Sequence, residues 1–254
     1  MKLRAVFPHR QLLFGFLFCA AGLCGLVGRQ ASADVYYTRD GQPHEAKILG
    51  CTGTTLQVVI AAGQMGVPLA TVVKVDMPPP PEFAAVQKLA SARDYAKLLG
   101  PVRALAEKFK GLPTEWAQRA SAMHAEALLN TGDLEKAEAA YKDYQKFYPG
   151  AGSLQSEVGM ARIALSKNNV DEAKKKLEPI AASALVDKAP SSLNAAAYSH
   201  VFLALGQIKE KEGDKSGALE SYLRTVALFA EDSGAVASAQ ELADKLIEQN
   251  VVTP

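Results

Sequence analysis

The sequence NTGDLEKAEAAYKDYQKFYP, residues 130–149, contains the clearest structural pattern of the chain. Gly132 lies where a turn is expected, and Pro149 lies where a helix is expected to end. Between them, Ala137 and Tyr141 are four residues apart, so a helix places both side chains on one face. The stretch therefore predicts the turn and second helix of a helical hairpin.

The same spacing of small, turn and apolar residues recurs twice, which indicates repeated hairpins. Small residues let the two helices of a hairpin approach closely, and larger residues fill the space between them. The pattern resembles the tetratricopeptide repeat, a helix–turn–helix unit. The matching residues are Ala125, Gly132, Ala137, Tyr141 and Pro149; then Ala161, Asn168, Ala173, Leu177 and Leu185; then Gly206, Gly213, Ala218, Tyr222 and Ala230.

The repeats differ in length, because the turn positions Gly132, Asn168 and Gly213 are 36 and 45 residues apart. An earlier, degenerate hairpin is predicted over residues 82–110, and a final helix over residues 233–249 is expected to cap the stack. Alanine-rich hairpins of another solenoid class are the alternative. The predicted fold is mainly α: a right-handed superhelix of antiparallel hairpins over residues 82–250, preceded by a small β-barrel-like module.

In a tetratricopeptide-like stack, the first helix of each hairpin faces a concave groove that holds a protein or peptide segment. The alternative is a solvated helix face with no ligand. The groove residues lack the lysine and asparagine arrangement by which some family members clamp a terminal carboxylate. The resemblance implies groove positions at Arg119, Glu126, Leu129, Asn130, Gln155, Val158, Arg162, His200, Leu203, Gln207 and Lys211.

Residues 34–77 show short β-branched runs separated by glycines, which predict four or five strands. The order of these runs resembles a small Sm-like or SH3-like barrel. RNA binding is not expected, since residues 41–76 contain no Phe, Tyr or Trp side chain that could stack on bases. A module of this size buries little surface alone, so it is expected to dock on something or to form a homo-oligomer. The proline run at residues 78–81 is predicted to be a stiff linker.

Residues 1–33 have the features of a secretory signal peptide: basic residues, an apolar run and ASA at residues 31–33. We expect cleavage after Ala33 and no integral membrane span thereafter; an uncleaved anchor is the alternative. The chain is then exported, and periplasmic if it comes from a diderm bacterium. The remainder has 24 basic against 27 acidic residues, a net charge of −3 that gives no reason to expect nucleic-acid binding.

The sequence contains no pattern that indicates catalysis. His44, His124 and His200 do not share a zinc-like spacing, and Cys51 is the one cysteine beyond the predicted signal peptide. We therefore expect no catalytic site, metal or cofactor, with His124 an interior residue. The leading hypothesis is an exported, non-enzymatic adaptor that binds a protein segment in the cell envelope. The alternative is a structural protein that self-assembles through the β module.

Overall fold

The computed structural model describes residues 34–150 and 152–254. Over these residues the protein is mainly helical, with one small, largely antiparallel sheet at the start. The expectation of a mainly α chain preceded by a β segment is confirmed at this level. The predicted signal peptide lies outside the described residues.

The sheet contains five consecutive antiparallel strands in the order β4-β3-β2-β1-β5. A 3-10 helix, Leu69–Thr71, connects β4 to β5. The long strand β2 pairs with both β1 and β3, and its register shifts between Ile48 and Gly50. The strands are β1 (Asp34–Thr38), β2 (Pro43–Thr52), β3 (Thr55–Ile60), β4 (Gly63–Pro68) and β5 (Val72–Asp76).

Nine helices follow within the described residues. A two-residue strand, β6 (Phe109–Lys110), lies between the second and third helices and pairs in parallel with β2. The helices are α1 (Pro81–Ser91), α2 (Tyr95–Lys108), α3 (Glu115–Asn130), α4 (Leu134–Phe147), α5 (Gly152–Ser166), α6 (Val170–Val186), α7 (Ser192–Lys211), α8 (Lys215–Leu228) and α9 (Ser233–Glu248).

Four hairpins, α1–α2, α3–α4, α5–α6 and α7–α8, share one turn geometry. In each turn a residue with positive φ is followed by the N-cap of the second helix. The backbone amide of this N-cap donates a hydrogen bond to the carbonyl of the residue five positions earlier. This pattern satisfies carbonyls at the end of the first helix. The positive-φ residues and N-caps are Arg93 and Asp94, Gly132 and Asp133, Asn168 and Asn169, and Gly213 and Asp214.

The first helices of the hairpins form an inner layer together with α9. Contacts run from α1 to α3, α5, α7 and α9 in turn, and α9 also contacts α1. Arg93 forms an ion pair with Glu241, and Ser233 Oγ lies 3.0 Å from Ser91 Oγ. The inner helices therefore form a closed cycle of contacts rather than an open row.

The β segment shares its hydrophobic core with α1, α2 and α3. Leu56 and Val58 from the sheet belong to the same buried cluster as Val86 and Val102 from the helices. This burial supplies the cover that the small segment needs. The β segment, which was expected to dock on something, thus docks on helices of its own chain.

The extended linker is shorter than the predicted residues 78–81, and it does not hold the β segment and the helices apart. Pro81 is the first residue of α1, because proline has a backbone angle suited to that position and needs no hydrogen bond there. Trp116 Nε1 donates to the Met77 carbonyl at 3.0 Å, which ties the start of the run to α3. The connection is thus a short extended segment packed on the helices.

Candidate functional site

The inner layer borders a partly open cavity of about 160 Å³, hereafter the inner cavity. Its wall comes from α1, α2, α3, α4, α5 and α7, and from the segment that leads into α9. Because α9 closes onto α1, the start of α9 completes the wall. The inner face is thus a pocket rather than a long groove.

Glu126 and Arg162 form a largely buried ion pair in the wall of the inner cavity. Arg162 makes two hydrogen bonds to the carboxylate, one of them 2.8 Å long, and each side chain is 15% exposed. Tyr141 on α4 donates to the same carboxylate at 3.1 Å. Burial alone raises the pKa of Glu126, but Arg162 and His200 outweigh burial and lower this pKa from 4.5 to about 2. The pair joins α3 to α5 in its ionised form.

His200 and Asp232 form a second interaction at the start of α9. Nε2 of His200 lies 3.4 Å from Oδ2 of Asp232, while Oδ1 accepts the Ala235 amide as the helix N-cap at 2.8 Å. Burial raises the pKa of Asp232, yet His200 and these hydrogen bonds lower it overall. The other ring nitrogen of His200, Nδ1, is buried with no hydrogen-bond partner among the described residues.

The rim of the inner cavity is formed by more exposed side chains. Arg119 on α3 pairs with Glu231, ahead of α9, at 2.9 Å, with side-chain exposures of 28% and 39%. Gln87 and Ser91 of α1 also line the cavity and are exposed. These four residues mark where a molecule from solution would meet the cavity.

Gln155 on α5 is the polar side chain with the most unused hydrogen-bonding capacity in this wall. The residue is 9% exposed, and both its amide oxygen and its amide nitrogen have no partner among the described residues. Buried polar groups are nearly always hydrogen-bonded, so this unpartnered amide is an exception among the buried side chains of the wall. Nδ1 of His200 is unpartnered in the same way, and all three atoms are buried from solvent.

Six predicted groove residues line the inner cavity and five do not. Leu129 packs in the cluster that contains Ile163 of α5, and Leu203 is buried against α8 and α9. These two residues therefore do not face a groove, because neighbouring helices cover this part of α3 and α7. The lining residues are Arg119, Glu126, Gln155, Val158, Arg162 and His200; those outside the lining are Leu129, Asn130, Leu203, Gln207 and Lys211.

Sequence reasoning misses seven polar residues of the inner cavity: Gln87, Ser91, Tyr95, Tyr141, Glu231, Asp232 and Ser233. The repeat pattern assigns Tyr141 only to helix packing, and it does not select Tyr95, Glu231 or Asp232. Asp232 stands three residues before Ala235 at a helix start, so its N-cap role can be read from the sequence. Its position beside His200 cannot be read from the sequence, since no local sequence pattern indicates which distant residues come together.

A second, larger cavity of about 630 Å³ lies on the outer side, among α2, α3 and α4. His124 lines this outer cavity, half-buried, instead of lying in a closed interior. Burial lowers the pKa of His124. Tyr144 is buried beside it, and its hydroxyl has no partner among the described residues.

Comparison of the chain with protein-family models, curated proteins and solved structures found no match. In the described part of the chain, no group of three or more His, Cys, Asp or Glu side chains could hold a metal ion. No helix there is long and apolar enough to cross a membrane.

Proposed function

We propose that this protein is an exported, non-enzymatic adaptor that binds a protein segment in the cell envelope through the inner face of tetratricopeptide-like hairpins. The inner cavity is the observation that carries the proposal. It combines a charged rim with a wall of apolar side chains and a few polar ones, an arrangement typical of a recognition pocket.

The assignment to a tetratricopeptide-like superhelix is part of this proposal. It is supported by four hairpins with the same turn geometry and by the layer that their first helices form. We likewise propose that the β segment is an SH3-like barrel. Its strand order and the 3-10 helix between β4 and β5 support that assignment.

The closed inner layer limits how a segment can bind. A pocket of about 160 Å³ is too small for an extended peptide, but it can receive one side chain. We therefore propose that the segment lies across the rim formed by Gln87, Ser91, Arg119 and Glu231 and inserts a single side chain. This mode needs no opening of the contact between α1 and α9.

Site-specific photo-crosslinking in the native envelope tests the proposal. A photoreactive residue at Gln87 or Ser91 is expected to capture the partner, because both positions are exposed on the rim. The same residue at Lys175, which is exposed on α6, is the matched control. Crosslinks to one protein from the rim but not from Lys175 support the adaptor. Identical products from all three positions would exclude the inner face as the binding site.

Arg119→Glu provides an independent check, since it reverses the charge of a rim residue without touching the buried pair. We expect loss of the crosslinked partner, whereas Arg103→Glu on α2, where Arg103 pairs with Glu107, should retain it. Arg162 is unsuitable for this test, because it is buried against Glu126.

Self-assembly through the β segment has a different signature. This alternative was considered because the β module is too small to be stable alone. In the structure, however, α1, α2 and α3 cover the module. Light scattering on the purified protein separates the two ideas. A monomer mass supports the adaptor. A stable oligomer supports self-assembly if changing Val73, on the exposed face of β5, to Lys returns the mass to that of a monomer.

A further inference from the structure

We propose that strand β4 is a self-association surface, on which two copies of this chain pair antiparallel about a two-fold axis at Met65. The inference goes beyond the proposed function, because β4 lies outside the lining of the inner cavity. Three features of β4 carry it: an open and uncharged strand edge, a backbone hydrogen-bonding pattern that matches itself, and an exposed methionine at the centre of that pattern.

β4 is one edge of the sheet. Among the described residues it pairs with β3 alone, over all six of its residues and with no shift in register. The opposite edge, β5, contains Lys74 and Asp76, and its pairing with β1 is irregular. Charges and irregularities of this kind normally protect an edge strand from pairing with another chain. β4, with the sequence GQMGVP, has neither protection.

The register shows which backbone groups of β4 face the open side. In an antiparallel pair of strands, hydrogen-bonded residue pairs alternate with pairs that are not hydrogen-bonded. The Leu69 amide donates to the Thr54 carbonyl in the continuation of the β3–β4 ladder, so Met65, four residues earlier, is also bonded to β3. Gln64 and Gly66 therefore direct their backbone N–H and C=O groups away from β3. Both residues are exposed, which leaves these groups accessible to a second strand.

The outward groups of β4 are complementary to those of a second β4. When two copies run antiparallel with Gln64 opposite Gly66 of the other copy, every outward N–H meets an outward C=O. A register centred on Gly66 places Pro68, which has no backbone N–H, opposite Gln64 and leaves the Gln64 carbonyl unpaired. A register centred on Gln64 places Gly66 opposite the turn between β3 and β4. The register centred on Met65 is thus the one that pairs all the outward groups within β4.

The side chains of β4 agree with this arrangement. Met65 is 41% exposed and lies on the same side of the strand as the buried Val67. At the axis, Met65 faces the Met65 of the second copy in a pair that is not hydrogen-bonded, where the Cα atoms are about 4.5 Å apart. The two thioether side chains then cover each other, and no like charges are opposed. This self-match, rather than exposure alone, selects a second copy as the occupant.

Sedimentation equilibrium of the purified protein over a wide range of concentration measures the association. Strands of six residues bury a small interface, so we expect a weak, reversible dimer and not a stable oligomer. Met65→Lys places like charges opposite each other and should weaken dimerisation at least tenfold. Val73→Lys makes the same change at an exposed residue of β5 and should leave dimerisation unchanged. Circular dichroism and thermal denaturation establish that both variants are folded.

A cysteine at the axis provides a second readout, which also reports the register. Met65→Cys should form a disulfide between two copies under mild oxidation, because the Cα separation expected at the axis is within the range that a disulfide requires. Val73→Cys is the matched control, and the unaltered protein gives the background from its own cysteines. We expect Met65→Cys to cross-link at least tenfold faster than Val73→Cys, even where the dimer is too weak to sediment.

Three results would overturn the pairing. The first is equal cross-linking of the two cysteine variants. The second is a dimer that Met65→Lys does not weaken, because another surface is then responsible. The third comes from a photoreactive residue at Met65 in the native envelope: capture of a different protein without a second copy would assign the edge of β4 to that protein. None of these results changes the meaning of the rim crosslinks, so the adaptor is tested separately.

Discussion

At the scale of single residues, two glycines show how closely the helices pack. Gly206 on α7 faces Tyr222 on α8, and Gly159 on α5 faces Tyr141 on α4. A Cβ at either glycine would overlap the tyrosine ring, and both rings are buried. Each tyrosine hydroxyl also donates to a glutamate, Glu210 or Glu126, which fixes the ring in place. These glycines are required because of contact, not because of backbone conformation.

Gly206→Ala is therefore expected to lower the free energy of unfolding by about 1–3 kcal/mol, the range for overpacking a close-packed interior. Urea denaturation measures the change. In a Tyr222→Leu background the same substitution should cost much less, since the smaller side chain leaves room for a methyl group. An equal cost in both backgrounds would contradict the proposed overlap.

The Glu126–Arg162 pair makes a second prediction at this scale. Glu126→Gln leaves the buried guanidinium without its counter-charge and should cost about 3–5 kcal/mol of unfolding free energy. Replacing both residues by methionine should recover most of that loss, because no uncompensated charge is left. Chemical denaturation of the single and double variants tests this. A double variant as unstable as Glu126→Gln would show that the cost comes from shape, not from charge.

The same pair predicts a pH dependence. The folded-state pKa of Glu126 is lowered from 4.5 to about 2. The contribution of this carboxylate to the free energy of unfolding is therefore present above pH 4.5 and is lost as pH falls towards 2. The stability difference between the natural protein and Glu126→Gln should therefore shrink across that window. Denaturation midpoints at pH 7, 4 and 3 measure it. A constant difference would argue against an ionised Glu126 in the folded state.

At the scale of elements, the hairpin turns explain why much of the fold could be predicted. Turn formation depends on neighbouring residues, so local sequence is enough to place the turns at Gly132, Asn168 and Gly213. The strands of the β segment are predictable for the same reason. Arg93 occupies the equivalent turn position of the degenerate first hairpin, although arginine gives no signal for positive φ.

Gly132→Ala and Gly213→Ala should each destabilise the protein by about 1–2 kcal/mol, because a left-handed backbone places Cβ too close to the following carbonyl. Neither glycine has another part of the protein within 4 Å of where a Cβ would lie, so the cost is conformational. Asn168→Gly tests the same conformation in the opposite direction and should leave stability unchanged or raise it by a few tenths of a kcal/mol. Thermal denaturation compares the three variants. A loss of stability in Asn168→Gly comparable to that in Gly132→Ala would refute the explanation.

The candidate site is less predictable than the turns. Repeat spacing identifies the face of each first helix that turns inward, and so it finds Glu126, Gln155 and Arg162. It also selects Leu203, which α9 covers. The contact between α1 and α9 joins residues 142 positions apart, as Ser91 and Ser233 show, and no periodic pattern encodes it. The unpartnered state of Gln155 is equally invisible, since it depends on what the other helices place around it.

At the scale of the whole molecule, the contact between α1 and α9 decides the form of the inner face. Its side-chain bonds are partly exposed, so each is expected to add less than about 1 kcal/mol to global stability. Their effect should instead be local, on the opening of the closed cycle. The cycle also brings the β segment, which packs on α1, into the same compact unit as the C-terminal helix.

Arg93→Ala should accelerate amide hydrogen exchange in α1 and α9 together while leaving α4 and α6 unchanged. Arg103→Ala is the matched control, because Arg103 pairs with Glu107 inside α2. Hydrogen exchange followed by mass spectrometry resolves these helices. Faster exchange in α1 alone would show that the two ends open independently.

Closure also sets how this architecture can change over evolutionary time. An open stack of helical hairpins can lengthen by duplication of one unit, because each new hairpin simply extends the end of the row. Here an additional hairpin would separate α9 from α1 and remove part of the wall around the inner cavity. Change within a fixed number of hairpins is then favoured over growth, which accords with hairpins that differ in length and sequence while their turns stay alike.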